Sequence, residues 1–338
     1  MNRIANKVLR LLLISLVIVA GLISGLLSLE LFTRLVLRFP PSGIERSFHI
    51  YPGDTYKGTT AFEHIYKPHS AFFNNEAGYK IYGRNNYGLP GKDIAPGSLK
   101  NVFVMGNSFI EARSTAPDRL ATSILDDRLQ DEYPDQYRVI NLGTGGQPPL
   151  YGLYRLKFWE GVFPADRVIL VLENSMLRET KAWQDSVFAP DERFGTPVSQ
   201  PPSPLLYHLS RYSAMVNLIQ SGDYYRKAKL EREKQVKLPS TKETATDTLR
   251  SYLRLWAVVR EYHRVYGDRL MVYSLMSSWY SRLIEIDCKL EGIPVASDSK
   301  FRFSDKYHLG EGHYGHFNDL GNRKLGLQLY DFFLLSGQ

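Results

Sequence analysis

The stretch Asn101-Val-Phe-Val-Met-Gly-Asn-Ser-Phe109 joins an apolar run to a turn. Val102 to Met105 are four consecutive apolar residues, a pattern typical of a strand that is buried on both faces of a sheet. Gly106 permits a sharp turn directly after that strand. A helical pattern follows, with apolar residues at Leu120, Ile124, Leu125 and Leu129. A strand followed by a helix is the beginning of a parallel βαβ unit.

The chain beyond this unit repeats the alternation of short apolar runs and helical patterns. Further strands are predicted at 138–141, 167–172, 269–275 and 293–296, and helices at 151–158, 249–266, 279–291 and 319–335. Such alternation predicts a parallel sheet with helices on both faces. The predicted fold class is therefore α/β, a three-layer α/β/α sandwich.

Composition excludes several classes of protein. The chain has 338 residues, of which 43% are hydrophobic, so disordered and collagen-like architectures are excluded. Cys288 is its single cysteine, which excludes an internal disulfide framework and a cysteine-based zinc cluster. The net charge of +7 is spread along the chain without a Lys/Arg block. We expect no nucleic-acid partner, and a basic surface is compatible with an anionic membrane nearby.

Residues 11–29 carry no charge. As a helix, these nineteen residues would be about 28 Å long, close to the thickness of the hydrocarbon core of a bilayer. A cleavable signal peptide is the alternative, but its apolar region would be shorter and no A-x-A-like site follows Gly25. We therefore expect an uncleaved single-pass anchor that contacts the lipid bilayer. The basic residues flanking it are nearly balanced, and we expect the short tail in the cytoplasm and the rest outside.

Three regions are predicted in the chain. Residues 1–39 form the tail and anchor, 40–98 an extended lead-in, and 99–338 the α/β domain, with an insertion at about 178–246. Within the insertion, 205–237 begins with an apolar stripe and becomes heavily charged. It is either a solvated helical insertion or a lid or docking element for a protein partner.

Polar residues follow three of the predicted strands. They are Ser108 after the first, the glycine-rich run from Gly143 to Gly146 after the second, and Asn174 after the third. Ligands of open parallel sheets bind at the carboxyl ends of the strands, which makes these residues candidates for a site. Each also has an ordinary structural explanation, since serine caps helices and glycine and asparagine form turns.

His313 and His316 lie directly before the last predicted helix. They are either loop histidines, a metal pair or a catalytic base. No cysteine or carboxylate cluster nearby supports a metal site, so we expect no metal and no cofactor.

These four pieces, in this order, resemble the SGNH hydrolases, the GDSL-like esterase superfamily. The blocks of that family match Ser108 in Gly-Asn-Ser, Gly143 in Asn-Leu-Gly, Asn174 in Glu-Asn-Ser and His316 in His-x-Asn-x-x-Gly. The segment 85–93 also looks like the lead-in of membrane-anchored bacterial members. The resemblance covers roughly residues 85–338 and implies an SGNH or flavodoxin-like sandwich.

The resemblance implies acyl chemistry at a serine. Ser108 would be the nucleophile and His316 the base that accepts its proton. The oxyanion hole would consist of the Ser108 N–H, the Gly143 N–H and the Asn174 amide.

Two positions depart from the family pattern. Asn107 stands where the family has an aspartate, and His313 stands where the family has the third member of the triad, an aspartate. Exchange of that acid for an amide can lower kcat by about 10⁴ in a serine triad. Glu311 or Asp305 could replace it, a backbone carbonyl could orient His316 in a dyad, or the protein is not a catalyst.

The leading hypothesis is a membrane-anchored esterase or O-acyltransferase, most simply for O-acetyl groups, that acts on cell-envelope or exported polysaccharide. It would belong to the inner membrane of a bacterium, with the globular domain on the periplasmic side and a glycan or acylated substrate. The rival is an inactive SGNH-like subunit that binds glycan or scaffolds an envelope assembly. A lipid-acting esterase is a third hypothesis.

Overall fold

A computed structural model describes much of the chain: residues 2–36, 68–69, 71–74, 80–97, 99–145, 149–177, 209, 212–216, 218–219, 245–302, 304–309 and 316–336. It divides into two compact units. Met1–Glu45 and Ser199–Pro239 form the first, and Arg46–Val198 and Ser240–Gln338 form the second. Most of the predicted insertion therefore groups with the N-terminal helix.

The helices and strands follow the predicted order. The helices are α1 (Asn2–Leu35), α2 (Ser108–Glu111), α3 (Ala121–Glu132), α4 (Pro149–Glu160), α5 (Ala245–Tyr266), α6 (Ser278–Leu290), α7 (Ser299–Arg302) and α8 (Asp319–Ser336). The strands are β1 (Ala71–Asn74), β2 (Lys80–Gly83), β3 (Lys100–Met105), β4 (Tyr137–Asn141), β5 (Ala165–Leu172), β6 (Leu270–Ser274) and β7 (Val295–Ser297).

The first unit contains α1, which includes the uncharged run 11–29. Its segment Lys7–Leu35 has a mean hydropathy of 2.6 and is long and apolar enough to cross a membrane. None of its most apolar stretch is buried against protein. The helix ends at Leu35, before Pro40, in accord with the restriction that proline places on helices.

The second unit contains a five-stranded parallel sheet in the order β4-β3-β5-β6-β7. The predicted α/β fold class is confirmed. A separate antiparallel hairpin of β1 and β2 precedes the sheet, and β1 was not predicted. Two short apolar stretches of the lead-in, 49–51 and 79–82, also have the composition of strands or extended chain; the second overlaps β2, and the first lies outside the described residues.

Two apolar clusters fill the space between the sheet and its helices. Along β3, Phe103 and Met105 join one cluster, whereas Val102 and Val104 join the other. This alternation follows from the period of two residues in a strand. The first cluster includes residues of α4, α5 and α6, and the second includes residues of α3 and α8. The sheet is therefore buried on both faces, which explains its continuous apolar runs.

The lead-in 85–93 forms the turn that its Asn and Gly residues predict. Asn85 Oδ1 accepts hydrogen bonds from the N–H groups of Tyr87 and Leu89, at 2.9 and 3.0 Å. This turn places the Leu89 side chain in the first apolar cluster, where it is only 1% exposed. The segment is thus an integral part of the second unit.

The order of the strands fixes where a ligand can bind. The chain leaves β3 for β4 on one side and then returns to pair β5 with the other side of β3. A crevice forms at such a reversal, beyond the carboxyl ends of the two central strands. Met105 at the end of β3 is aligned with Leu170 near the end of β5. The residues that follow these two strands therefore face one another across the crevice.

Candidate active site

Ser108 is the first residue of α2, the short helix that begins two residues after β3. It is partly exposed, whereas its neighbours Asn107 and Phe109 are buried. A methyl group at Gly106 would come within 2.3 Å of Ile110 Cγ1, so the turn from strand to helix requires glycine there. Within the described part of the chain, neither the Ser108 hydroxyl nor its N–H makes a hydrogen bond. Both groups are available to a ligand.

Asn107 caps α2 and links it to the end of β5. Its Oδ1 accepts a hydrogen bond from the Phe109 N–H, which is the usual role of an N-cap residue. Its Nδ2 donates to Glu173 Oε2 at 3.0 Å and to Ser175 Oγ at 2.9 Å. An aspartate at position 107 could keep the first interaction and accept a hydrogen bond from the Ser175 hydroxyl, but it could not donate to Glu173, because it has no donor when ionised.

Asn174 follows β5 and is partly exposed on the other side of the crevice. Its Oδ1 accepts a hydrogen bond of 3.0 Å from the N–H of Ser277, which follows β6. Because Oδ1 is bonded to the residue after β6, Nδ2 is the end of the amide that faces away from this strand. Asn174 Nδ2 has no hydrogen-bond acceptor among the described residues, so this end is available as a donor.

The glycine-rich loop after β4 uses its N–H groups internally. The Gly143 N–H donates to Asn141 Oδ1 at 2.8 Å, and the Gly145 N–H donates to Glu111 Oε2 at 2.7 Å. The N–H between them, of Thr144, donates to the carbonyl of Gly106. The Gly143 N–H thus has a buried acceptor within its own turn, and its expected contribution to an oxyanion hole stays a prediction. A methyl group at Gly143 would also lie 2.3 Å from the Glu111 N atom.

Glu111 is a buried carboxylate at the end of α2, and the sequence analysis missed it. Its Oε1 accepts hydrogen bonds from Arg84 Nη2 at 2.5 Å and Arg113 Nε at 2.7 Å. Burial raises the pKa of this carboxyl, but the charges of the two arginines and the hydrogen bonds to Arg113 and Gly145 outweigh it and lower the pKa to about 2. The Glu111 carboxylate thus connects three parts of the chain through hydrogen bonds: the lead-in at Arg84, the end of α2, and the glycine loop at Gly145.

The glycine loop lies directly against the serine. A methyl group built on Gly145 would be 3.1 Å from Ser108 Cβ and 3.0 Å from Glu111 Oε2. Asn141 also donates from its Nδ2 to the Ile110 carbonyl at 2.8 Å. The blocks after β3 and β4 therefore form one rigid wall of the crevice.

His316 is held near Ser108 by aromatic packing. Its ring centroid lies 5.6 Å from that of Phe109, the residue after the serine. Phe317 packs edge-on against the same ring at 4.9 Å and is buried. The backbone carbonyl of His316 accepts a hydrogen bond from the Leu309 N–H.

The acid of the triad falls outside the structural description. His313 and Glu311 lie outside the described residues, and for Asp305 only the backbone is described. The roles suggested for these three side chains therefore stay predictions. Ser277 and Glu173 are further residues of the site whose contacts join parts of the chain too distant for a local pattern to reveal.

A comparison with family models found no match, and neither did a comparison with curated proteins.

Several solved structures resemble this chain. One is a member of the lipolytic protein G-D-S-L family from Veillonella parvula DSM 2008. The match spans 70% of this chain and 98% of that protein, with 10% identity and a TM-score of 0.37. The lipase/acylhydrolase from Enterococcus faecalis covers 71% and 96%, with 11% identity and a TM-score of 0.38. The psychrotrophic esterase EstA from Pseudoalteromonas sp. covers 70% and 97%, with 10% identity and a TM-score of 0.40. Each of these solved structures, which are G-D-S-L lipolytic proteins and esterases, is similar to this chain over about 70% of its length.

Proposed function

We propose that the chain is an SGNH-type serine esterase or O-acyltransferase, anchored in a membrane by α1 and acting on acylated glycans. One observation carries the proposal. After β3 and β5, the hydroxyl and N–H of Ser108 and the Nδ2 of Asn174 make no hydrogen bond with any described residue, whereas Asn107 Nδ2 and Asn174 Oδ1 beside them do.

In the first step, Ser108 Oγ attacks the carbonyl carbon of the acyl ester. His316 accepts the proton of the hydroxyl, because serine is a weak nucleophile at neutral pH without a base. The carbonyl oxygen becomes an oxyanion that the Ser108 N–H and the Asn174 amide stabilise. Collapse of this intermediate expels the alcohol, which takes the proton from His316, and leaves an acyl group on Ser108.

In the second step, an oxygen nucleophile attacks the acyl-serine. Water gives a free carboxylic acid, whereas a sugar hydroxyl gives a new ester. His316 takes the proton of the attacking group and returns it to Ser108 Oγ. Esterase and transferase thus share the same residues and differ only in the acceptor.

A glycan substrate is supported by an exposed aromatic residue, Trp279, which lies two residues after Ser277 in the sequence. Helix α6 begins directly after Ser277, the residue that orients this asparagine. Its second residue, Trp279, is 49% exposed, with its ring edge-to-face with Tyr280 at 4.7 Å. Exposed aromatic faces on a rigid helix are suited to packing against the apolar faces of sugar rings. Trp279 therefore supports a substrate larger than the acyl group alone.

Labelling of the serine tests the proposal. The full chain, purified in detergent, is treated with a fluorophosphonate probe and assayed with p-nitrophenyl acetate. We expect labelling and turnover that Ser108→Ala abolishes and that Ser336→Ala, a serine at the end of α8, leaves unchanged. A chain that is folded but neither labels nor turns over would exclude the catalytic proposal.

The rival function is a non-catalytic subunit that binds glycan. It is favoured by His313 in the place of the family acid. This function predicts binding of acylated polysaccharide that survives Ser108→Ala and no acyl release. The Ser108→Ala and Ser336→Ala variants therefore distinguish the two functions, since only an esterase loses labelling and turnover with Ser108→Ala.

A further inference from the structure

The end of α1 binds a segment that lies about 180 residues further along the chain. Glu30 is the first charged residue after the uncharged run 11–29. Its carboxylate accepts hydrogen bonds from Ser213 Oγ at 2.7 Å, from the Ala214 N–H at 2.8 Å and from the Met215 N–H at 3.1 Å. Three donors on consecutive residues thus converge on one side chain.

Arg34 completes this clamp one turn further along α1. Its Nε donates to Glu30 Oε1 at 2.6 Å, and its Nη2 donates to the Tyr212 carbonyl at 2.5 Å. Ala214 is fully buried, and so is nearly all of Thr33 on α1. The contact therefore combines charge-assisted hydrogen bonds with close packing, and it fixes 212–215 to the last turns of the helix.

The position of Glu30 sets the depth of this contact if α1 spans a bilayer. The uncharged run is about 28 Å long as a helix, which matches the hydrocarbon core. A carboxylate is costly within that core and is tolerated at its boundary. Residues bonded to Glu30 and Arg34 would therefore lie at the boundary between lipid tails and headgroups.

The described residues of this segment expose apolar side chains. Leu209, Tyr212 and Ile219 are 45%, 72% and 63% exposed. Ala214, which lies between Tyr212 and Ile219 in the sequence, is by contrast fully buried. Tyrosine is enriched at the membrane interface, where its ring meets lipid and its hydroxyl meets water.

Charge along the sequence agrees with an anionic lipid surface. The segment is followed by a run with more Lys and Arg than Glu, Arg226-Lys-Ala-Lys-Leu-Glu-Arg-Glu-Lys-Gln-Val-Lys237. Basic residues next to a membrane anchor are attracted to anionic headgroups.

We propose that the described residues 209, 212–216 and 218–219 belong to an interfacial element, which Glu30 and Arg34 clamp to the membrane helix and which inserts Leu209, Tyr212 and Ile219 among the lipid headgroups. The partner is the bilayer surface itself, continuous with the lipid-facing surface of α1. This inference rests on the membrane anchor of the proposed function and is independent of the esterase activity.

Single-cysteine labelling in vesicles tests the proposal with the full chain. Cys288 is buried and is the only native cysteine, so the unmodified chain provides the unlabelled background. An environment-sensitive fluorophore is attached at Tyr212→Cys, Ile219→Cys, Ile18→Cys or Leu253→Cys. The proteins are reconstituted in phosphatidylcholine vesicles with and without phosphatidylglycerol. Quenchers are nitroxides at shallow or deep positions of the lipid, and iodide in the water.

We expect shallow nitroxides to quench the labels at 212 and 219, deep nitroxides to quench the label at 18, and iodide to quench the label at 253. Glu30→Ala should abolish shallow quenching at 212 and 219 without changing the label at 18. Arg34→Lys, which keeps the positive charge, should retain more of the shallow quenching at 212 and 219 than Arg34→Ala does. The readout is depth and does not depend on acyl chemistry.

The controls separate the possible failures. Iodide quenching at 212 and 219 with deep quenching at 18 would overturn the interfacial element while the anchor stands. A label at 212 that is protected from both iodide and lipid would mean a protein contact and would also overturn it. Iodide quenching at 18 would exclude the anchor and the inference together. Loss of p-nitrophenyl acetate turnover would bear on the esterase proposal alone.

Discussion

The Asn107 amide donates a hydrogen bond of 3.0 Å to the Glu173 carboxylate, which is only 4% exposed. The two residues precede the proposed nucleophile and the proposed oxyanion donor in sequence, since Ser108 follows the first and Asn174 follows the second. The family that the sequence resembles has an aspartate in place of Asn107. In this chain the amide and the buried glutamate are a matched pair, because a second carboxylate at 107 would face the first without a donor between them.

Asn107→Asp should destabilise the protein and lower its activity. The variant keeps the N-cap acceptor but loses two donors and adds a like charge beside Glu173. Loss of a hydrogen bond to a charged group corresponds to roughly 2–3 kcal/mol of unfolding free energy. Denaturant unfolding of the detergent-solubilised chain, together with ester turnover, measures both effects.

The double variant Asn107→Asp, Glu173→Gln tests the pairing. Glutamine can donate to the new carboxylate, so we expect it to restore part of the stability that Asn107→Asp loses. Equal loss in the single and double variants would show that the two side chains are not coupled.

The sheet was predictable from sequence because it is buried on both faces. Runs such as Val102 to Met105 and Val168 to Leu172 are continuous and apolar, and few other structures accommodate them. The helices between them have a clear period, as for Leu249 to Tyr266. Strand β1, Ala71–Asn74, was missed because a short strand in a turn-rich segment lacks such a pattern.

The site was predictable only where it follows the ends of strands. Ser108 and Asn174 could be identified in this way, but the partners that orient them could not. Ser277 lies 103 residues beyond Asn174, and Arg84 lies 27 residues before Glu111. The glycine at position 143 indicated a tight turn. The acceptor of its N–H could not be predicted, because that acceptor is the Asn141 side chain.

Asn174→Asp should abolish most of the activity with little effect on the fold. The aspartate can still accept the Ser277 N–H bond, but it cannot donate to an oxyanion and places a negative charge beside it. Removal of one such donor lowers kcat by about 10²–10³. We expect kcat for p-nitrophenyl acetate to fall by at least this much, with KM nearly unchanged.

Ser277→Ala provides the control for this variant. It removes no hydrogen bond to Asn174, since the backbone N–H is the donor, and it should leave kcat nearly unchanged. If Asn174→Asp retains full turnover, Asn174 does not stabilise the oxyanion.

Acid should destabilise the second unit through Glu111. The pKa of this carboxyl is about 2 in the folded state and near 4.5 when unfolded. Its contribution to stability is therefore complete above about pH 4.5 and is lost as the pH falls toward 2. At about 1.4 kcal/mol per pKa unit, this contribution is roughly 3 kcal/mol.

Arg113→Gln tests the origin of this acid sensitivity. It removes one of the two positive charges that lower the pKa of Glu111, so this pKa should rise. The unfolding free energy should then fall less between pH 6 and pH 2 than it does in the unmodified chain. Unfolding free energies of the detergent-solubilised chain between pH 2 and pH 6 measure the change. Asp319→Asn breaks the exposed pair with Arg119 and should leave the pH dependence unchanged, since exposed pairs contribute about 0–1 kcal/mol. Identical pH profiles for Arg113→Gln and the unmodified chain would contradict this assignment.

Trp279→Ala should distinguish a glycan substrate from a small ester. Truncation of Trp279 removes a half-exposed ring two residues from Ser277 and leaves Ser108, Asn174 and His316 in place. Turnover of p-nitrophenyl acetate should therefore be unchanged, because this ester is too small to reach the ring. For acetylated oligosaccharides, loss of an aromatic contact worth about 1 kcal/mol should raise KM about fivefold at a similar kcat. Trp279→Phe should recover part of this loss, and an equal effect on both substrates would mean that the ring supports the fold of α6 and does not bind sugar.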